Sequence, residues 1–69
     1  MEHMDDLLAP PGHLTARDTQ HALGITPGAL RNLVYRGQLT RSGGTERHPW
    51  YAARDVAAIA AKRAARTAA

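Results

Sequence analysis

Apolar and polar positions along the chain alternate with helical spacing twice in quick succession. In "LTARDTQHALG", residues 14–24, Thr19, Ala22 and Leu23 fall at i, i+3 and i+4, one narrow face of a helix. Thr15 is placed to cap its start, and Asp18 three residues on completes a capping-box pattern in the positive field of the first turn. Gly24, which lacks a Cβ, is placed to end it in a left-handed conformation. In "GITPGALRNLVYRGQL", residues 24–39, the arrangement repeats. Thr26 is the cap and Pro27 the first helical residue, where its missing N–H costs nothing. Leu30, Leu33 and Val34 form the inward stripe, and Gly37 is the stop. The spacing predicts helices joined by Gly24-Ile25-Thr26 alone, the short link of a helix-turn-helix.

After Gly37 the period changes. "QLTRSGGTERHPWY" holds a Gly43-Gly44 pair between two short extended runs and predicts a β-hairpin over residues 38–51. A two-residue turn at the glycines would pair Arg41 with Glu46. A longer loop over residues 42–48 would pair Leu39 with Tyr51, and is favoured because it sets two apolar residues together. Tyr51 is then inward, and Trp50 half exposed on the opposite side. "AARDVAAIAAKRAARTAA" is Ala-rich and strongly helical by propensity. Val56, Ile59, Ala60 and Arg63 share a face, and fraying is expected after about Arg66. At the other end, Pro10, Pro11 and Gly12 block a helix. The division expected is a flexible tail over 1–13, one domain over 14–66 and a frayed end over 67–69.

Sixty-nine residues hold one domain at most, with a small core. The absence of cysteine excludes disulfides, thiolate zinc sites and thiol nucleophiles, and fits a reducing cytoplasm. No apolar run approaches the roughly 18 residues of a membrane helix, and the start has no signal-peptide pattern. A soluble cytoplasmic protein without membrane partners is expected. The formal charge of +3 hides an asymmetry. Glu2, Asp5 and Asp6 lie in the tail, whereas residues 14–69 carry all nine Lys and Arg against Asp18, Glu46 and Asp55, a charge of +6. That balance suits a polyanion, nucleic acid first. His3, His13, His21 and His48 show no metal-ligand spacing, and no phosphate-binding loop is present. Neither a metal nor a cofactor is expected, nor an enzyme.

The run "LT..D....LGIT...LR.LV.RGQL", followed by a hairpin and then "Y...DV..I", resembles the MerR-like, or excisionase-like, winged helix-turn-helix domain. The match uses Leu14, Thr15, Asp18, Leu23, Gly24, Ile25, Thr26, Leu30, Arg31, Leu33, Val34, Gly37, Leu39, Tyr51, Asp55, Val56 and Ile59. It covers residues 14 to 60 or so. Gln20 and Ala22 stand where the family has a small and a large apolar residue, Leu33 replaces a frequent aromatic, and the hairpin tip reads as Gly-rich rather than Arg-dense. The resemblance implies a mainly α winged helix-turn-helix.

On a helix over 26–36, inward Leu30, Leu33 and Val34 leave Gly28, Arg31, Asn32 and Tyr35 on the other face. Arg donates two bonds to guanine, and Asn pairs with adenine in the major groove. Gly28 lets backbone approach a phosphate, and the first turn's N–H groups favour anions. Out of this setting, such a face is simply solvated. Arg17 and Arg36 are candidate phosphate contacts, with solubility as their plain alternative. Arg41, Arg47 and His48 lie on the hairpin, where Ser42 and Thr45 are candidates to add phosphate bonds. The DNA-contact set is therefore Arg17, Thr26, Pro27, Gly28, Arg31, Asn32, Tyr35, Arg36, Arg41, Arg47 and His48. The expected function is sequence-specific binding of double-stranded DNA, as a small transcriptional regulator, with helix 26–36 in the major groove and hairpin 38–51 as a wing. An excisionase, with a recombinase partner, or a phage terminase small subunit are the family's other roles. Several copies assembling as a homo-oligomer or on the DNA itself are expected, because one module buries little surface. The reading from another class is a protein-interaction adaptor that kept the fold.

Overall fold

The computed structural model describes residues 9–68, so residues 1–8 of the expected tail and residue 69 lie outside it. The elements are β1 (His13–Thr15), α1 (Ala16–Leu23), α2 (Pro27–Tyr35), β2 (Arg41–Gly44), β3 (Pro49–Ala52) and α3 (Ala53–Ala68). The strands form one antiparallel sheet in the order β1-β3-β2. α1 is the hub, packing on α2 and α3 and on both β1 and β3. No described helix is long and apolar enough to cross a membrane.

The Thr caps and Gly stops of α1 and α2 operate as expected, while the Asp18 carboxylate does not return a bond to Thr15 to complete the capping box. Thr15 Oγ1 accepts the Asp18 N–H at 3.1 Å, and Thr26 Oγ1 accepts the Ala29 N–H at 3.1 Å. Each cap satisfies a first-turn donor that has no partner inside its helix. The two C-termini close alike. Ile25 N–H donates to the Gln20 carbonyl and Gly24 N–H to that of His21, with Gly24 at φ 64°. Gln38 N–H donates to Leu33 and Gly37 N–H to Val34, with Gly37 at φ 76°. This is the Schellman arrangement, in which a left-handed residue turns the chain back on the last carbonyls.

The N-terminal boundary is earlier than the expected start at 14. His13 N–H donates to the Pro10 carbonyl at 3.0 Å, with Pro11 and Gly12 (φ 80°) between, the pattern of a type II turn. That turn feeds β1, where Leu14 pairs with Tyr51, and Ala53 N–H donates to the Gly12 carbonyl at 2.9 Å. His13 is thus part of the sheet. At the other end α3 continues to Ala68, past the fraying expected near Arg66.

The hairpin adopts neither expected register. Arg41 pairs with Tyr51, Gly43 with Trp50 and Gly44 with Pro49, with a bulge at Ser42. Leu39 precedes the ladder because it is still tied to the end of α2, its N–H donating to the Leu33 carbonyl at 3.3 Å. It nevertheless shares the core with Tyr51, so the apolar partnership holds without the pairing. The glycines lie in β2 and not at the tip. The chain reverses over residues 45–48, where Thr45 N–H donates to the His48 carbonyl and His48 N–H to Thr45 Oγ1. Gly44, at φ 86°, sits so close to the His48 carbonyl that a Cβ has no room.

Leu23, Leu30, Leu39, Tyr51 and Val56 form the buried core, and Leu14, Ala16, Ile25, Leu33, Val34, Ile59 and Ala60 pack around it. Thr19 is fully buried and donates its hydroxyl to the Thr15 carbonyl at 2.8 Å. Ala22, expected inward, is exposed, because the inward stripe of α1 begins one turn earlier with Ala16 and continues through Thr19 to Leu23. Arg63, grouped with Val56 and Ile59 by spacing, is exposed too.

Two stability outcomes follow from this geometry. Gly44→Ala should lower stability by on the order of 2 kcal/mol or more, from the left-handed φ and the blocked Cβ together. Gly28→Ala should raise it by up to about 1 kcal/mol, since the position is helical and an added Cβ would come no closer than 3.9 Å to Thr26 Oγ1. Denaturant unfolding of both variants checks this, and equal effects would contradict it. Burial raises the Tyr51 phenol above its usual value, with Arg41 pulling partly back. The folded chain therefore holds that proton to higher pH than the unfolded chain does. Its contribution is complete below about pH 10 and is lost as pH rises through the folded value. Tyr51→Phe should remove that part of the alkaline decline, read as unfolding free energy against pH.

Candidate nucleic-acid interface

Leu30 fixes which side of α2 faces inward, and the Thr26 cap with Pro27 fixes where the helix begins. Gly28, Arg31, Asn32 and Tyr35 are consequently all exposed, as the spacing predicts. Tyr35 is 88% exposed, the large apolar side chain that the described surface leaves out of the core. At about 100° per residue, this face is broad enough to divide. Arg31 and Tyr35 lean toward the hairpin, and Asn32 and Arg36 lean the other way.

The division is visible in the surface. Between α2 and the hairpin runs an open groove of about 440 Å³. Arg31, Tyr35, Arg41, Arg47 and Pro27 line it, over a floor that includes Leu30, Val34, Pro49 and Tyr51. Glu46 lines it as well, so three guanidiniums face one carboxylate. A second groove of about 430 Å³ lies between the start of α1 and the hairpin, lined by Thr15, Arg17, Arg47, His48 and Trp50. Ala16, Arg47 and Pro49 belong to both, so the two grooves adjoin. On the opposite flank of α2, Asn32 and Arg36 line a smaller recess of about 140 Å³ that Gln38 and Arg63 also border.

The expected contact residues thus fall into groups. Arg31, Tyr35, Arg41 and Arg47 meet in one groove, and Arg17, Arg47 and His48 in the adjoining one. Asn32 and Arg36 face a different recess. Thr26 spends its hydroxyl on the Ala29 N–H. Ser42 and Thr45 each have a partner, although Thr45 Oγ1 is an acceptor and keeps its O–H for donation. The Ser42 hydroxyl lies 3.1 Å from His13 Nε2, and Thr45 Oγ1 holds the His48 N–H. The Gly-rich hairpin tip expected from the sequence is instead Thr45, Glu46, Arg47 and His48.

Trp50 is the groove residue that sequence reading left without a role. Alternation along β3 puts it opposite buried Tyr51, which was legible. Its place beside Arg17 depends on β1 pairing, which was not. Among the described residues, no group of three or more His, Asp or Glu side chains is arranged to hold a metal ion. Comparison of the chain with protein-family models, with curated proteins and with solved structures finds no match.

Proposed function

We propose that this chain is a winged helix-turn-helix domain that binds double-stranded DNA, acting as a small transcriptional regulator in the cytoplasm. The observation that carries the reading is the shared groove: α2 and the hairpin turn Arg31, Tyr35, Arg41 and Arg47 toward one space while Leu30 ties the helix to the core. The resemblance to MerR-like and excisionase-like domains supports it, as does the charge of the folded part.

In this reading α2 enters the major groove. Arg31 reads guanine O6 and N7, and Tyr35 packs its ring on base edges or sugar beside it. Asn32 and Arg36, leaning to the other flank, meet the far wall of the groove, with Asn32 suited to adenine. The hairpin is the wing, and Arg41, Arg47 and His48 bond the flanking backbone, fixing orientation without reading sequence. Gly28 and the first turn of α2 lie close to phosphate, and Arg17 adds a contact from α1. One module of this size buries about 600–1,000 Å² on DNA, so several copies on repeated half-sites supply useful affinity.

A protein-interaction adaptor is the second reading, favoured by the exposure of Tyr35. Salt separates the two. For the DNA reading, log K falls with log salt at a slope of about −0.9 per phosphate neutralised. Arg31→Ala should cost about 1–3 kcal/mol at a selected site and relax its sequence preference, while Arg47→Ala weakens all sequences alike and shallows the slope by about one. Fluorescence anisotropy on duplexes selected from random sequence measures both. Weak, salt-independent binding would overturn the DNA reading, and an unchanged preference in Arg31→Ala would overturn the role of α2.

A further inference from the structure

Trp50 is the chain's single tryptophan, and the sheet holds it in place. The benzo half of its indole rests on Gly43, where an added Cβ would lie 3.1 Å from Cε3. The His13 ring stands beside it, centroids 6.5 Å apart and planes tilted by 60°. His13 is itself pinned, with Nδ1 3.1 Å from the Pro11 carbonyl and Nε2 3.1 Å from the Ser42 hydroxyl. A carbonyl only accepts, so Nδ1 is the donor there, and Nε2 pairs with the Ser42 hydroxyl. The ring thus bridges the two outer strands across the middle one, next to the indole.

So immobilised, Trp50 remains only half-buried and lines the groove with Arg17, Arg47 and His48. A flat apolar wall in a groove that also holds two guanidiniums suits a ligand that is anionic and apolar by turns. A phosphodiester strand has that chemistry: charged phosphates separated by sugars with apolar faces. Inorganic phosphate would use the arginines and leave the indole idle. The groove also adjoins the one between α2 and the hairpin through Arg47, so a strand leaving the first passes into the second.

We infer that this groove carries the backbone of one strand of the duplex, beside the stretch that α2 reads. Arg17 and Arg47 hold phosphates, and the deoxyribose between them packs on Trp50. The inference rests on the DNA reading above and adds Trp50 to the binding residues.

Because Trp50 is the sole tryptophan, its emission reports on this groove alone. The full chain is titrated with a dye-labelled duplex of mixed sequence at low salt. Anisotropy of the dye reads binding, and acrylamide quenching of Trp50 reads the groove. Quenching should fall by about half at saturation, and inorganic phosphate should give no such protection. Arg17→Gln should weaken every duplex by about fivefold, a lost phosphate contact. Trp50→Phe, which keeps an aromatic over Gly43, should weaken it by less than Arg17→Gln does. Binding by anisotropy with unchanged quenching would overturn this inference and leave the DNA reading standing. No anisotropy change would overturn both. Stronger protection by a single-stranded oligonucleotide than by the duplex would overturn the duplex path and assign the groove to an unpaired strand.

Discussion

The structure depends on a core of five buried side chains, each supplied by a different segment. Leu23 comes from the end of α1, Leu30 from the middle of α2, Leu39 from the link that follows, Tyr51 from β3 and Val56 from α3. Few other groups are buried as deeply, with Thr19 beside Leu23 in α1 and Pro49 beside Tyr51 in β3. A domain of this length buries a modest share of its surface, so each contact weighs heavily. Leu30 illustrates the coupling of the core to the surface of α2. It sits between Ala29 and Arg31, and burying it is what turns Arg31 outward.

Around that core the chain spends its special residues on ends and close approaches. Two Schellman closures, at Gly24 and Gly37, set the directions in which α1 and α2 stop. Between them the link is too short to allow much variation in how α2 lies on α1. On the hairpin, Gly43 lets the indole of Trp50 lie on β2, and Gly44 lets the loop close against the His48 carbonyl. Those two positions bring Arg47 to the ridge between the two basic grooves. The position of Arg47 at the surface is thus set by backbone geometry.

The helical half of the fold was legible because its signals are local. A Thr four residues before an inward stripe, Pro at the first helical position and Gly at the end each act on their own few neighbours. The exposed face of α2 followed from period alone, and Tyr51 inward from its expected partnership with Leu39, which holds in the core without the pairing. What was not legible is what requires partners distant in sequence. Three residues, His13–Thr15, carry too little pattern to announce a strand, and only their pairing with β3 makes them one. The Gly43-Gly44 pair is a strong local turn signal. It was outweighed by the tie of Leu39 to α2 and by the packing of Trp50 on Gly43. Ala22 was assigned to the inward stripe because Thr15 as cap does not reveal that Ala16, the next residue, is already packed. The split of the α2 face between two flanks needs the hairpin's position, and the partners of the Ser42 and Thr45 hydroxyls, His13 and His48, become adjacent only in the folded chain.

In the proposed function, the surface of α1, α2 and the hairpin is one continuous interface for duplex DNA, and the outer side of α3 has no part in it. Backbone amide chemical-shift mapping of the full chain on addition of a selected duplex tests this most directly. The largest shifts should cluster on Arg17, Arg31, Tyr35, Arg41, Arg47 and Trp50, with Ala57, Ala61 and Ala64 unmoved. Shifts concentrated on α3, or none along α2 at saturating duplex, would contradict it.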